Sequence, residues 1–156
     1  MAARSVAWDT GTPIPGTPFR QLITTGDTDG RFSSQSAVLR AGQLVVPHVH
    51  EHEDEFSFVF RGRIGGRVGD EDVVVEEGGF LFKPRGLVHA LWNPTDVDAI
   101  IVELISPGGF EGFFQEMGAL PAGAGPEVVR EIGARYGQTP HPELIAELTE
   151  RYEVSP

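Results

Sequence analysis

Three histidines fall within five residues of this chain, in the run Pro47-His48-Val49-His50-Glu51-His52-Glu53-Asp54-Glu55. On an extended strand His48 and His50 point to the same face, roughly 6 to 7 Å apart along the backbone, and imidazoles at that spacing can converge on one ion. Val49 then faces the other way. Glu53, Asp54 and Glu55 follow at once and compete for a carboxylate role. Imidazole with carboxylate is a borderline donor set, suited to nickel, iron, manganese, cobalt, copper or zinc rather than to calcium or magnesium. A His-x-His pair alone is equally compatible with a solvated or core strand, so the surrounding spacing has to decide. His52 keeps parity with His50 only if the strand continues, and the acidic run suggests a turn, which puts His52 at the surface or behind the site. His141 sits between Pro140 and Pro142 at a helix start, with nothing paired to it in sequence, and reads as a surface residue.

The elements that must position these residues are short. From Ser36 to Ile105 strand-like runs recur: Ala37 to Arg40, Leu44 to Val46, Glu55 to Phe60, Asp72 to Val75, Phe80 to Phe82, Val88 to Trp92 and Ala99 to Ile105. Gly, Pro or Asp/Asn clusters separate them, which points to an all-β sandwich or barrel. By alternation from Glu55, Ser57 and Val59 share its inward face, and Leu91 shares that of His89. Residues 1–35 read as edge strands and loops of the same barrel. After Pro107-Gly108-Gly109 the period changes. Phe110, Phe113, Phe114 and Met117 form one apolar helical face, and further helices are expected near Glu127 to Tyr136 and Pro142 to Tyr152. One domain is therefore expected, with residues 36–108 as the barrel proper and 109–156 as a helical extension.

At this point the sequence resembles the cupin superfamily, whose motifs are written G-x5-H-x-H-x3,4-E-x6-G and G-x5-P-x-G-x2-H-x3-N. The first runs Gly42, His48, His50, Glu55, Gly62, and the second Gly78, Pro84, Gly86, His89, Asn93, with 15 residues between them. The resemblance implies a double-stranded β-helix (a jelly-roll barrel) holding one divalent metal through His48, His50, Glu55 and His89. Gly62 and Gly86 suit turns needing positive φ, Pro84 suits a strand start, and Asn93 before Pro94 suits a turn.

Within the superfamily, Pro47-His48-Val49-His50 followed by Glu53-Asp54-Glu55 looks like the one-domain cupins related to flavonol 2,4-dioxygenases (quercetinases). The Ala134-Arg135-Tyr136-Gly137 stretch is similar to the tail of many actinobacterial members. Many quercetinases carry two cupin domains, whereas this chain has one. The resemblance implies a dioxygenase acting on a flavonol or similar aromatic enol, with Glu55 as both ligand and proton acceptor. A polyketide cyclase or isomerase that consumes no oxygen, and a non-enzymatic small-molecule-binding barrel, are the other readings.

Composition narrows the field further. Twelve Lys and Arg against 23 Asp and Glu give a formal charge of −11, which repels nucleic acid and anionic membranes. The absence of cysteine excludes disulfides, thiolate ligands and cysteine nucleophiles together. No apolar run approaches a membrane span, and MAARSVAWDT lacks a secretory apolar stretch, so the cytoplasm is the expected location. A homodimer is expected from strand-edge pairing and from the need of the Phe110 to Met117 helix for a surface to cover.

Overall fold

The computed structural model describes residues 5–121 and 123–156. In chain order the strands are β1 (Thr12–Pro13), β2 (Phe19–Ile23), β3 (Ser33–Leu39), β4 (His48–His50), β5 (Asp54–Arg61), β6 (Arg63–Val68), β7 (Glu71–Glu76), β8 (Phe80–Lys83), β9 (His89–Trp92), β10 (Ala99–Ser106) and, in the tail, β11 (Gln138–Pro140). Among the described residues three α-helices accompany them: α1 (Glu111–Gly118), α2 (Pro126–Arg135) and α3 (Ile145–Tyr152). The strands form two antiparallel sheets, one ordered β1-β2-β3-β10-β5-β8 and the other β11-β4-β9-β6-β7. This is the double-stranded β-helix expected from the motifs.

Between the sheets the inward residues Ala37, Leu39, Val59, Ile64, Leu81 and Ile101 make one apolar cluster. Strand β5 shows the period-2 rule directly, with Glu55, Ser57 and Val59 buried and Phe60 exposed. The single residue between β5 and β6 is Gly62, at φ 88°, a conformation that L side chains rarely adopt.

Strand β6 is absent from the runs read above because Gly65 and Gly66 dilute its strand character. Both glycines have a packing reason: a Cβ on Gly65 would run into the indole of Trp92, and one on Gly66 into the Leu81 side chain. Strand β3 starts at Ser33, ahead of the expected Ala37, because Ser33 and Gln35 are polar yet buried. Around Leu44 there are only isolated bridges rather than a strand. Pro84 follows the end of β8 instead of starting a strand.

The tail is more than a helical extension. β11 pairs with β4, opposing Gln138 to His50 and Pro140 to His48, and so clamps the histidine strand from outside. The apolar face of α1 is satisfied within the chain, where Phe110, Phe113 and Phe114 join Ile14, Ile105 and Ile132. That face therefore gives no argument for a dimer. Helix α3 covers the outer face of the second sheet by packing Leu148 against Ala90 and Trp92. Arg67 locks it there, its Nε and Nη2 donating to Asp72 at 2.6 and 2.8 Å and its Nη1 to Glu147 at 2.9 Å. No helix among the described residues is long and apolar enough to cross a membrane.

Candidate metal centre

Ligand-type atoms arrive from both sheets. His48 and His50 share the inward face of β4, and His89 opens β9 directly across from His48 in register. Glu55 comes from β5 in the opposite sheet. One donor atom from each of His48, His50, Glu55 and His89 lies within 4.8 Å of the other three. The structure thus brings together the four residues that the motifs single out. The imidazoles crowd one another, with ring centroids 4.5 Å apart for His48 and His89 and 5.0 Å for His48 and His50.

The outer nitrogens fix ring orientation. His48 Nδ1 sits 2.7 Å from the Val46 carbonyl and His89 Nδ1 3.1 Å from that of Leu87. A carbonyl only accepts, so each Nδ1 carries the proton and each Nε2 is left with its lone pair turned to the cluster. His50 differs: its Nδ1 is 3.7 Å from the Glu53 carboxylate and its Nε2 3.6 Å from Glu55 Oε2. Glu53 lies in the loop between β4 and β5 but is buried behind the site, whereas Asp54 begins β5 and pairs with Arg85 at 2.9 Å. His52 is exposed, as the turn in the acidic run suggested, and His141 pairs with Glu143 at 2.7 Å.

Protonation differs among the three imidazoles. Burial, reinforced by the neighbouring His89 and His50, pushes His48 down to about 3, and burial also lowers His89. Both are therefore neutral, the form that ligates. Burial pulls on His50 as well, but hydrogen bonding and charge from Glu53 and Glu55 outweigh it and raise His50 to about 9. Glu55 is held well below the usual carboxylate range, its burial overcome by Lys83, His50 and His89. His89 Nε2 is buried with no hydrogen-bond partner among the described residues, 3.2 Å from Glu55 Oε2. Buried polar atoms are almost always satisfied, and an orphaned ring nitrogen turned to the cluster fits an ion there.

Sequence reasoning missed the charges behind Glu55. Lys83 lies opposite Glu55 in the β5–β8 register, and its Nζ reaches Glu55 Oε2 at 3.0 Å and Glu103 Oε2 at 3.2 Å. The single Ser57 hydroxyl proton is shared between the two Glu103 oxygens, which lie 2.9 and 3.0 Å from Ser57 Oγ. Both were legible as isolated charges on the inward parity of apolar strands, Phe80-Leu81-Phe82-Lys83 and Ile101-Val102-Glu103-Leu104-Ile105. Asn93 is a turn residue, as expected, bonding Val97 and Thr95, but it also donates to the Leu39 carbonyl at 3.0 Å. The cluster opens on a cavity of about 430 Å³ whose other walls include Phe19, Leu39, Ile101, Phe110 and Phe113. Phe110 stands edge-on to His50, centroids 4.4 Å apart. Such a site can hold an ion at one wall and a mostly apolar, ring-containing molecule against it.

Comparison with known proteins agrees with the geometry. Residues 36–105 match the family described as Cupin domain. The chain is 35% identical over 69 residues to tetracenomycin polyketide synthase protein TcmJ of Streptomyces glaucescens, a match spanning 44% of this chain and 46% of that protein. Against protein SchB of Streptomyces halstedii identity is 31% over 110 residues, spanning 67% of this chain and 78% of the relative. The chain thus spans less than half the length of TcmJ but most of SchB. Among solved structures, a Klebsiella pneumoniae protein with a double-stranded β-helix domain aligns with TM-score 0.58 at 22% identity, covering 69% of this chain and 93% of that one. The cupin domain of Schizosaccharomyces pombe Cnp3 aligns with TM-score 0.53 at 16% identity, covering 66% and 73%.

Proposed function

From the premise that the chain belongs to the cupin superfamily, we propose that it is a metal-dependent enzyme acting on an enolisable aromatic or polyketide molecule, and in its sharper form a dioxygenase for a flavonol-like aromatic enol. The observation that carries this reading is the convergence of four ligand-type atoms within 4.8 Å on the wall of a largely apolar cavity. A divalent transition metal held by His48, His50, Glu55 and His89 would supply Lewis-acid chemistry and, if redox-active, chemistry with dioxygen. The chain's own residues do the rest. Glu55, held ionised, accepts the proton of a substrate hydroxyl brought to the cluster. Phe19, Phe110 and Phe113 bind flat apolar surface and keep water from the reacting end. Likeness to a protein named for tetracenomycin polyketide synthesis supports a polyketide-type substrate and favours a second reading, a cyclase or isomerase that consumes no oxygen.

Metal content of untagged protein is the first test. About one equivalent of a transition metal, lost in His48→Ala and His89→Ala, is the expected result, and protein that refuses every added metal sinks the enzyme reading. Oxygen uptake with flavonols then separates the two forms. Consumption stoichiometric with substrate supports the dioxygenase, whereas product formed at an unchanged rate under strict anaerobiosis leaves the cyclase or isomerase.

A further inference from the structure

Lysine is among the residues least often buried, and only when paired. Lys83 is 2% exposed. The pleat of β8 sends Phe80 and Phe82 outward, where they are exposed, and turns Leu81 and Lys83 in. There the ammonium meets two buried carboxylates and has to serve both, at 3.0 Å from Glu55 and 3.2 Å from Glu103. The Glu55 oxygen it holds is Oε2, the atom that also faces His89 Nε2 at 3.2 Å and His50 Nε2 at 3.6 Å. One carboxylate oxygen therefore lies between the imidazole cluster and a fixed cation.

We propose that Lys83 is an internal counter-cation of the barrel: it balances Glu55 and Glu103 in metal-free protein, and it competes with the metal for Glu55 once metal binds. The second half rests on the metal-binding reading given above. In metal-free protein the ammonium is the nearest cation to both buried carboxylates, and a buried carboxylate with no cation beside it is poorly tolerated. With an ion at the imidazoles, the same ammonium is a like charge beyond a shared ligand oxygen and opposes binding. Glu103 acts in the reverse sense, because it draws Lys83 away from Glu55 and adds a negative charge near the ion. Two residues that ligate nothing thus set metal affinity in opposite directions.

Zinc or cobalt affinity, measured by competition with a chromophoric chelator, and thermal unfolding with and without the same metal test this on chelator-stripped protein. The variants are Lys83→Met, Glu103→Gln, the double variant, and His48→Ala as the ligand control. Lys83→Met is expected to bind metal on the order of tenfold more tightly than wild type and Glu103→Gln on the order of tenfold more weakly, with the double variant near wild type. Without metal, Lys83→Met should unfold several degrees early, with the double variant recovering part of the loss and added metal recovering more. Weakened binding in both single variants would mean a packing role and overturn the proposal, as would unchanged affinity in both. A Lys83→Met protein that folds only when metal is present supports it, and one that metal fails to recover overturns it. Should wild type take up no metal, the proposed enzyme reading fails by itself, and the metal-free unfolding of Lys83→Met against the double variant decides the counter-cation role separately.

Discussion

Strand β5 has two faces one residue apart, and each carries what the other would ordinarily hold. Inward, Glu55 is 6% exposed and Ser57 is fully buried; outward, Phe60 is 43% exposed. Across the strand pair the outer phenylalanines meet those of β8, Phe56 stacked on Phe82 and Phe58 tilted against Phe80, with centroids 4.8 and 4.7 Å apart. The second sheet does not repeat this arrangement, because its outer face is covered by α3 through Leu148, Ala90 and Trp92. The comparison shows where the first sheet spends its alternation. Its inner surface near Glu55 is given to charge and ligand atoms, so apolar burial must come from Val59, Leu39 and Ile101 further along and from the α1 cluster at Phe113 and Phe114.

If the inner face of the first sheet really holds charge against its natural tendency, stability should register it. Burial raises Glu103 from 4.5 to about 7, against the pull of Lys83. Between those values the folded protein keeps a proton that the unfolded chain has lost, so the stability tied to this group is full below about pH 4.5, falls as pH rises, and levels off above about pH 7. The swing is on the order of 3 kcal/mol. Denaturant unfolding of wild type and Glu103→Gln across this range should show the difference between them growing with pH in favour of Gln and then flattening. A difference independent of pH would mean that Glu103 does not titrate there. A smaller inward effect is expected at Ser57, whose hydroxyl proton is shared between the two Glu103 oxygens. Ser57→Ala should cost about 1 to 3 kcal/mol in urea unfolding, because the buried carboxylate loses a donor that water cannot replace.

The barrel and its two turn glycines were legible because each rests on a local rule, alternation or positive φ at Gly62 and Gly86, whereas Glu55 and His89 were singled out as ligands only through the resemblance to the cupin motifs. What escaped were features that exist only across strands. Glu103 and Lys83 are 20 residues apart in the chain and meet because β5 lies between β10 and β8. Strand β6 escaped because its glycines answer to Trp92 and Leu81, which sequence cannot place above them. β11 escaped because Gln138-Thr139-Pro140 has no strand pattern of its own and is held by pairing with β4. The approach of Glu53 to His50 is a loop contact that residue spacing alone does not specify.

The smallest effects on folding are expected on the outer face, where they say most about what the face is for. Phe80 is 70% and Phe82 49% exposed, and β8 is the terminal strand of its sheet among the described residues. An exposed apolar edge is a pairing site unless it is covered. A homodimer joining two β8 edges would cover it, each copy presenting the same residues about a two-fold axis. Size-exclusion chromatography with light scattering is therefore expected to give twice the chain mass for wild type and the single-chain mass for Phe80→Lys with Phe82→Lys. Because both side chains point away from the core, the double variant in its monomeric form should lose only about 1 kcal/mol of stability, mainly the ring contacts with Phe56 and Phe58. A wild type already at single-chain mass would remove the dimer and leave the aromatic face bare, while a loss of several kcal/mol in a monomeric variant would mean that the outer rings support the fold as the inner residues do.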